Sequence, residues 1–368
     1  MILYITVAAG TVLLACMINN HCALQPYRMT RQQMCNRVSI LAVFLILFAL
    51  SACRQNVGND YAKYVEFMHL VNCNAYVPTE AGFNLLVKII YGISGFENYL
   101  LVFAVYAFVT VFLFLLAIYE QSDDFPMTYF MFMALGYYFQ AFSTVRYYLA
   151  LAIAFYSMKY VVNRQWVRFI LLVLLGSFFH KSLLVVLPLY FLASLAWKRW
   201  QLVLIGLFCT TFIFMQDFYL KVVVFLYPTY EDTEYLEGGT SYINILRCSA
   251  VLVLSLIYYQ KSIKDNRRLR FYFYLNLGAL VLYVFCSFLP IISRIGYYLT
   301  ASHILFLPAL IKETANERLK KLLRFTIIAA ALFYFAVFMS RAYNDGILIL
   351  PYKTFFFHDM VNILSDMN

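Results

Sequence analysis

The run Leu100–Ile118, LLVFAVYAFVTVFLFLLAI, contains no charged residue. A helix needs about 20 consecutive apolar residues to cross the hydrocarbon of a bilayer, and this run supplies nearly that. Similar blocks recur at Ile243–Tyr259 and Phe325–Met339. The composition agrees with a chain built from such blocks: of 368 residues, 64% are hydrophobic and only 12% charged. Soluble domains carry roughly 25% charged residues. A membrane β-barrel would alternate apolar and polar residues in segments of about 10, and no such alternation is present. The sequence therefore reads as all-α, a polytopic transmembrane helical bundle forming one integral membrane domain over residues 1–368.

Polar punctuation divides the chain into about twelve spans: 2–20, 38–53, 99–118, 127–143, 146–162, 166–180, 183–197, 201–215, 242–259, 271–290, 294–311 and 325–341. Those between 127 and 197 are short for full crossings, so a re-entrant pair is an alternative there. The block Met1–Met17 lacks a basic leader and a small-residue cleavage site, and it reads as the first membrane helix.

The placement of Lys and Arg gives an orientation. The alternate loops 21–37, 119–126, 163–168, 197–200, 260–270 and 312–324 hold 17 of the 28 Lys and Arg, and 6 of the 18 acids. Basic loops favour the cytoplasm, so this set is expected inside and both termini outside. Trp166, Trp197 and Trp200 border these loops as an aromatic belt would. The acidic loop 119–126 runs against the pattern, but acids weigh little in the rule. The opposite side then carries a loop at 54–98 with short amphipathic helices, a loop at 216–241, and an interfacial tail at 342–368 broken by Pro351 and Lys353. A formal charge of +10 arises from sidedness under this reading, and no nucleic-acid partner is expected.

Ionisable groups at membrane depth are costly and usually face a cavity. Arg146, His180 with Lys181, and Arg294 all fall at turns on the expected outer side, as do Asp60, Lys63, Glu66 and Glu80. Each has a plain structural reading. A helix-end arginine can snorkel to the headgroups, the role read for Arg54 and Arg341, and a lone histidine usually makes a structural hydrogen bond. The coincidence of Arg146, His180 and Arg294 at one depth favours a shared polar cavity. Tyr137, Tyr138, Tyr147, Tyr148, Tyr297 and Tyr298 flank the same turns as belt residues or as the walls of a sugar site. His303 reads as core packing, and Ala150 and Ala154 as a close helix contact. The eight cysteines show no paired-ligand spacing, so neither a metal nor a cofactor is expected. Cys53 and Cys73 are a candidate bridge in the outer loop.

Five segments carry a family resemblance: Arg54-Gln-Asn-Val57-Gly58-Asn59-Asp60-Tyr61-x-x-Tyr64, Pro78-Thr-Glu80-Ala-Gly82-Phe83-Asn84-Leu85-Leu86, Val145-Arg146-Tyr-Tyr-Leu149-Ala150-x-Ala152-Ile153, Phe179-His180-Lys-Ser182, and Ser293-Arg294-Ile-Gly-Tyr297-Tyr298. Their order and spacing resemble the EpsG family of Wzy-type polysaccharide polymerases, over nearly the whole chain. Asn59 stands where Thr is expected, and Tyr147 where Gln is frequent. Neither departure removes a charge. The resemblance implies a bacterial cytoplasmic-membrane enzyme, compatible with a GT-C-like architecture. Such an enzyme joins oligosaccharide repeat units carried on undecaprenyl diphosphate at the outer face, in contact with membrane lipid and, in some systems, a chain-length regulator.

Under that reading Arg146 and Arg294 clamp the diphosphate, since a guanidinium fork suits phosphate and stays charged. His180 is the expected base, with Asp60 as the rival base or acceptor-orienting group. Lys181, Glu80, Tyr147 and Tyr297 are expected in substrate contact. Two other classes stay open, a polysaccharide flippase or transporter and a lipid-phosphate-sugar glycosyltransferase, with a membrane acyltransferase behind them.

Overall fold

The computed structural model describes residues 1–20, 30–226, 241–288, 292–344 and 347–357. Helices in the first half are α1 (Ile2–Ala15), α2 (Arg31–Ala52), α3 (Tyr61–Asn72), α4 (Ala81–Ser94), α5 (Tyr99–Gln121), α6 (Phe125–Ala134), α7 (Tyr137–Gln140), α8 (Val145–Val162) and α9 (Trp166–Ser177). After a 3₁₀ turn at Lys181–Val185 come α10 (Val186–Ser194), α11 (Arg199–Phe214), α12 (Gln216–Leu226), α13 (Tyr242–Tyr258), α14 (Arg267–Phe285), α15 (Ile292–Thr300), α16 (His303–Lys312) and α17 (Glu317–Ser340). Among the described residues there is no strand, and one isolated antiparallel bridge joins Arg54 and Thr354.

Five segments are long and apolar enough to cross a membrane unaided: α2, α5, α13 with its π-helical extension to Ile263, α15 with α16, and α17. Their outer faces carry large apolar side chains such as Leu41, Leu45, Phe108, Phe112, Phe325 and Phe333, an exposure suited to lipid. The protein is a multi-pass membrane protein. The expected count of twelve goes beyond these five, and the reason is local. The block at 127–143 is not one rod: α6 ends at Ala134, Gly136 turns in the left-handed region, and α7 is a single turn. The blocks at 166–180 and 183–197 hold helices of only 12 and 9 residues.

The chain divides into two compact units. Unit 1 comprises Met1–Ser157, Leu171–Leu184 and Thr314–Asn368. Here α2 packs on α5 and α1, α4 on α3 and α5, and α6 on α1, α5, α7 and α17. Caps fix where these helices start. Thr30 and Gln33 form a reciprocal capping box at α2, Asn98 accepts from the Leu101 N–H at α5, and Asp124 accepts from the Met127 N–H at α6. Asp124 also pairs with Arg324 of α17 at 2.9 Å, which gives the acidic loop 119–126 its role beside a basic loop at the same end of the unit.

At the other end of unit 1, residues 347–357 are bound into the fold. The Gln55 N–H donates to the Lys353 carbonyl at 2.9 Å, the Gly58 N–H to Leu348 at 2.8 Å, and the Phe355 N–H to Cys53 at 3.3 Å. Ile349 and Leu350 are buried. This part of the expected interfacial tail is thus a strap held by main-chain bonds, while 358–368 lie outside the described residues. Of the loop expected at 216–241, the first residues form α12 and 227–240 lie outside the described residues. Cys53 and Cys73 are free thiols, each at a helix C-terminus, so the candidate bridge is absent.

Unit 2 comprises Met158–Ile170 and Val185–Glu313. Its centre is α14, against which α10, α11, α13, α15 and α16 pack. His303 is fully buried there, with Nε2 2.7 Å from Asn276 Oδ1, while Asn276 donates to the Cys248 carbonyl at 3.1 Å. That chain of polar contacts gives His303 the packing role read from the sequence.

Candidate active site

The site is built on three turns of unit 1. Glu80 occupies the N-cap position of α4, Arg146 lies in the first turn of α8, and His180 follows the end of α9. Gly82 is what lets the first and third meet. Its N–H donates to the Phe178 carbonyl at 2.8 Å, and a Cβ at residue 82 would lie 2.6 Å from that oxygen. Any side chain there would push the start of α4 away from the turn that carries His180.

One carboxylate ties the three turns together. Glu80 Oε2 accepts from Arg146 Nη1, and its Oε1 lies 3.2 Å from His180 Nδ1 and accepts the Lys181 N–H at 3.1 Å. All three side chains are largely buried, at 12 to 13% exposure. Aromatic rings complete the walls. The Arg146 guanidinium sits 5.4 Å from the Tyr64 ring centre and 5.3 Å from that of Phe83. Tyr147 meets the His180 imidazole edge to face at 5.8 Å, and Tyr106 packs at 6.2 Å from Phe83 and 6.4 Å from Phe179.

Burial opposes ionisation of Glu80. The contact with His180, the charges of Arg146 and His180 and the Lys181 N–H outweigh it, and the Glu80 pKa falls from its ordinary 4.5 to about 2. The carboxylate is therefore an anion throughout the physiological range. With His180 protonated, two cations share one carboxylate, and the cluster has capacity for a further anion. With His180 neutral, the same carboxylate orients its ring.

The structure brings Glu80, Arg146, His180 and Tyr147 together, along with the main chain of Lys181, whose side chain is exposed. Asp60 opens α3 one turn before Tyr64 and is half-exposed. Arg294 is exposed in the first turn of α15 and Tyr297 half-exposed on the same helix, in unit 2. Tyr137, Tyr138, Tyr147, Tyr148 and Tyr298 are each buried to 5% exposure or less, so they do not form an exposed belt. Tyr106 and Phe83 were not singled out from the sequence as part of the site. A signal for Tyr106 existed: Phe103, Tyr106, Ala107 and Thr110 recur at helical spacing, so the two hydroxyls in an otherwise apolar run share its buried face.

Four of the five motif segments converge on unit 1, where the geometry above is assembled. The sequence profile of the EpsG family matches residues 37–354. The chain belongs to the EpsG family. No curated protein and no solved structure matches it. The EpsG family is associated with Wzy-type polymerases, which makes this chain a membrane protein of polysaccharide biosynthesis.

Proposed function

We propose that this EpsG-family protein is a polysaccharide polymerase. It transfers a growing glycan from undecaprenyl diphosphate to the next lipid-linked repeat unit at the outer face of the bacterial cytoplasmic membrane, with both termini outside. The observation that carries this reading is the single Glu80 carboxylate shared by Arg146 and His180.

The reaction needs a base for the acceptor hydroxyl and a cation for the departing diphosphate. His180 Nε2 takes the hydroxyl proton, and the acceptor oxygen forms a bond to the anomeric carbon. The bond from that carbon to the phosphate oxygen breaks, and its electron pair leaves with the lipid diphosphate. Glu80 holds the imidazole through Nδ1 and stabilises the imidazolium that forms, as a carboxylate does in hydrolytic triads. Arg146 supplies the planar donor fork for the phosphate oxygens, where charge develops. Its present bond to Glu80 keeps that fork in place before substrate arrives. In this proposal Arg294 is the second cation for the diphosphate, Tyr297 contacts substrate, Asp60 is the rival base or orients the acceptor, and Lys181 makes a peripheral contact. The product, whether capsule, exopolysaccharide or O-antigen, follows from the repeat unit supplied.

The test is complementation of a strain lacking its own polymerase, with membrane levels of each variant measured alongside. Arg146→Ala and His180→Ala are expected to accumulate single lipid-linked repeat units at normal protein level. Full-length polymer from both would remove the proposal, and absence of repeat units from the outer leaflet would identify a flippase instead.

A further inference from the structure

Unit 1 carries a second cluster of titratable side chains, which the transfer site does not use. It stands at the opposite end of α3 from Asp60, 12 helical residues or about 18 Å away. The sequence sets His69 and Cys73 four residues apart, so they are neighbours on one helix face. The helix then closes. The Cys73 N–H donates to the His69 carbonyl at 3.0 Å, Asn74 turns through the left-handed region at φ 55°, and the Ala75 N–H returns to the Leu70 carbonyl at 2.9 Å. That closure fixes Cys73 one turn beyond the imidazole. Gly95, also left-handed, ends α4, and Glu97 two residues later meets His69.

His69 lies between a thiol and a carboxylate. Its Nε2 is 3.7 Å from Cys73 Sγ, and its Nδ1 is 3.0 Å from each oxygen of Glu97. Asn72 Nδ2 donates to Glu97 Oε1 at 2.8 Å, which holds the carboxylate in place. A carboxylate accepts, so in the neutral ring Nδ1 carries the proton and Nε2 turns its lone pair toward the thiol. Nucleophile, base and orienting group thus stand in the order that activates a thiol. All three are accessible: Cys73 is exposed, and His69 and Glu97 keep 38 and 29% of their side chains open. A helix C-terminus supports a cation, so an imidazolium formed here has the last carbonyls of α3 and Glu97 as its counter-charge. Attack on a disulfide asks for a deprotonated, accessible sulfur, which this surface position offers. We propose that Cys73 is a site of covalent modification by small disulfides, with His69 as its base and Glu97 as the group that orients the base. His69 Nε2 takes the thiol proton, and Cys73 Sγ bonds to one sulfur of the disulfide. The original S–S bond breaks, and the departing thiolate collects the proton from His69. The cluster lies outside the transfer site, so the inference does not rest on the polymerase reading.

The test is site-resolved alkylation of the full chain in detergent by iodoacetamide at neutral pH, with N-acetylcysteine in the same tube as the reference thiol. Cys73 is expected to react about 10-fold or more faster than the reference. His69→Gln is expected to lower its rate by about 10-fold and Glu97→Gln by about 3-fold. Incubation with oxidised glutathione is expected to leave a mixed disulfide on the Cys73 peptide, read by mass spectrometry, and His69→Gln to lose most of it. Melting temperatures are measured for both variants, and should His69→Gln fail to fold, Glu97→Gln decides. A Cys73 rate no greater than the reference, or a rate unchanged in both variants, would overturn the proposal and leave the three side chains as a surface hydrogen-bond cluster.

Discussion

Two arginines of unit 1, Arg54 and Arg146, share a pattern and differ in their partners. Each guanidinium faces two aromatic rings at 5.0 to 5.4 Å, and each follows or opens a long helix. Arg146 meets a carboxylate and keeps 13% of its side chain exposed, whereas Arg54 donates only to the carbonyl and hydroxyl of Ser51 and is closed over by the strap. The difference teaches what each position is suited to. A cation paired to a low-pKa carboxylate and still partly exposed is suited to exchange partners with the proposed diphosphate, because one anion replaces another without stranding charge. A sealed cation with only neutral neighbours has no such exchange open to it.

The comparison breaks most sharply at Glu80. Glu80→Ala strands Arg146 and His180 in a site where both were paired, and polymer is expected to fall to background with a stability loss of roughly 2–3 kcal/mol. Polymer gels and thermal unfolding report the two effects separately. His180→Ala removes the proposed base and is expected to lower the transfer rate by about 10²-fold or more with little change in melting temperature. At the glycine that joins the turns, Gly82→Ala sets a methyl against the Phe178 carbonyl, costing about 1–3 kcal/mol and lowering polymer length without removing any charge.

A pH series sharpens the same contrast. The Glu80 pKa in the fold, about 2, lies below its ordinary 4.5, so its contribution to stability is complete above pH 4.5 and disappears as the pH falls toward 2. The gap in melting temperature between wild type and Glu80→Gln is therefore expected to stay flat at neutral pH and close between pH 4.5 and 2. The smallest effect is expected at Lys181→Met, because the exposed side chain is lost while the main-chain N–H to Glu80 remains. A change of less than about 3-fold in polymer yield would fit a peripheral contact, and a complete loss would make the ammonium a main substrate ligand.

The sequence made the membrane architecture legible because hydrocarbon demands long apolar helices, and α2, α5 and α17 answer that demand directly. Arg146, His180 and Glu80 were legible as polar residues at turns of one side. Glu80 as their common partner was not, because no spacing rule links positions 80, 146 and 180. Their meeting depends on a backbone contact between Gly82 and Phe178, which is tertiary. Arg54 looked like a snorkelling helix-end residue because nothing in its local sequence announces a strap arriving from residues 347–357. The number of spans is not legible where an apolar run is interrupted by conformation, as at Gly136, because hydropathy does not register such a break.

The central claim is that Glu80, Arg146 and His180 act as one transfer site. Its most direct test is the initial rate of polymer formation by the purified protein on lipid-linked repeat units, for Glu80→Gln, His180→Ala and the double variant. Groups that act as a unit lose about as much singly as together. Both single variants are expected to fall by about 10²-fold or more, and the double variant to match the slower of them. Single variants at the wild-type rate, or a double variant whose loss is the product of the two, would contradict the account.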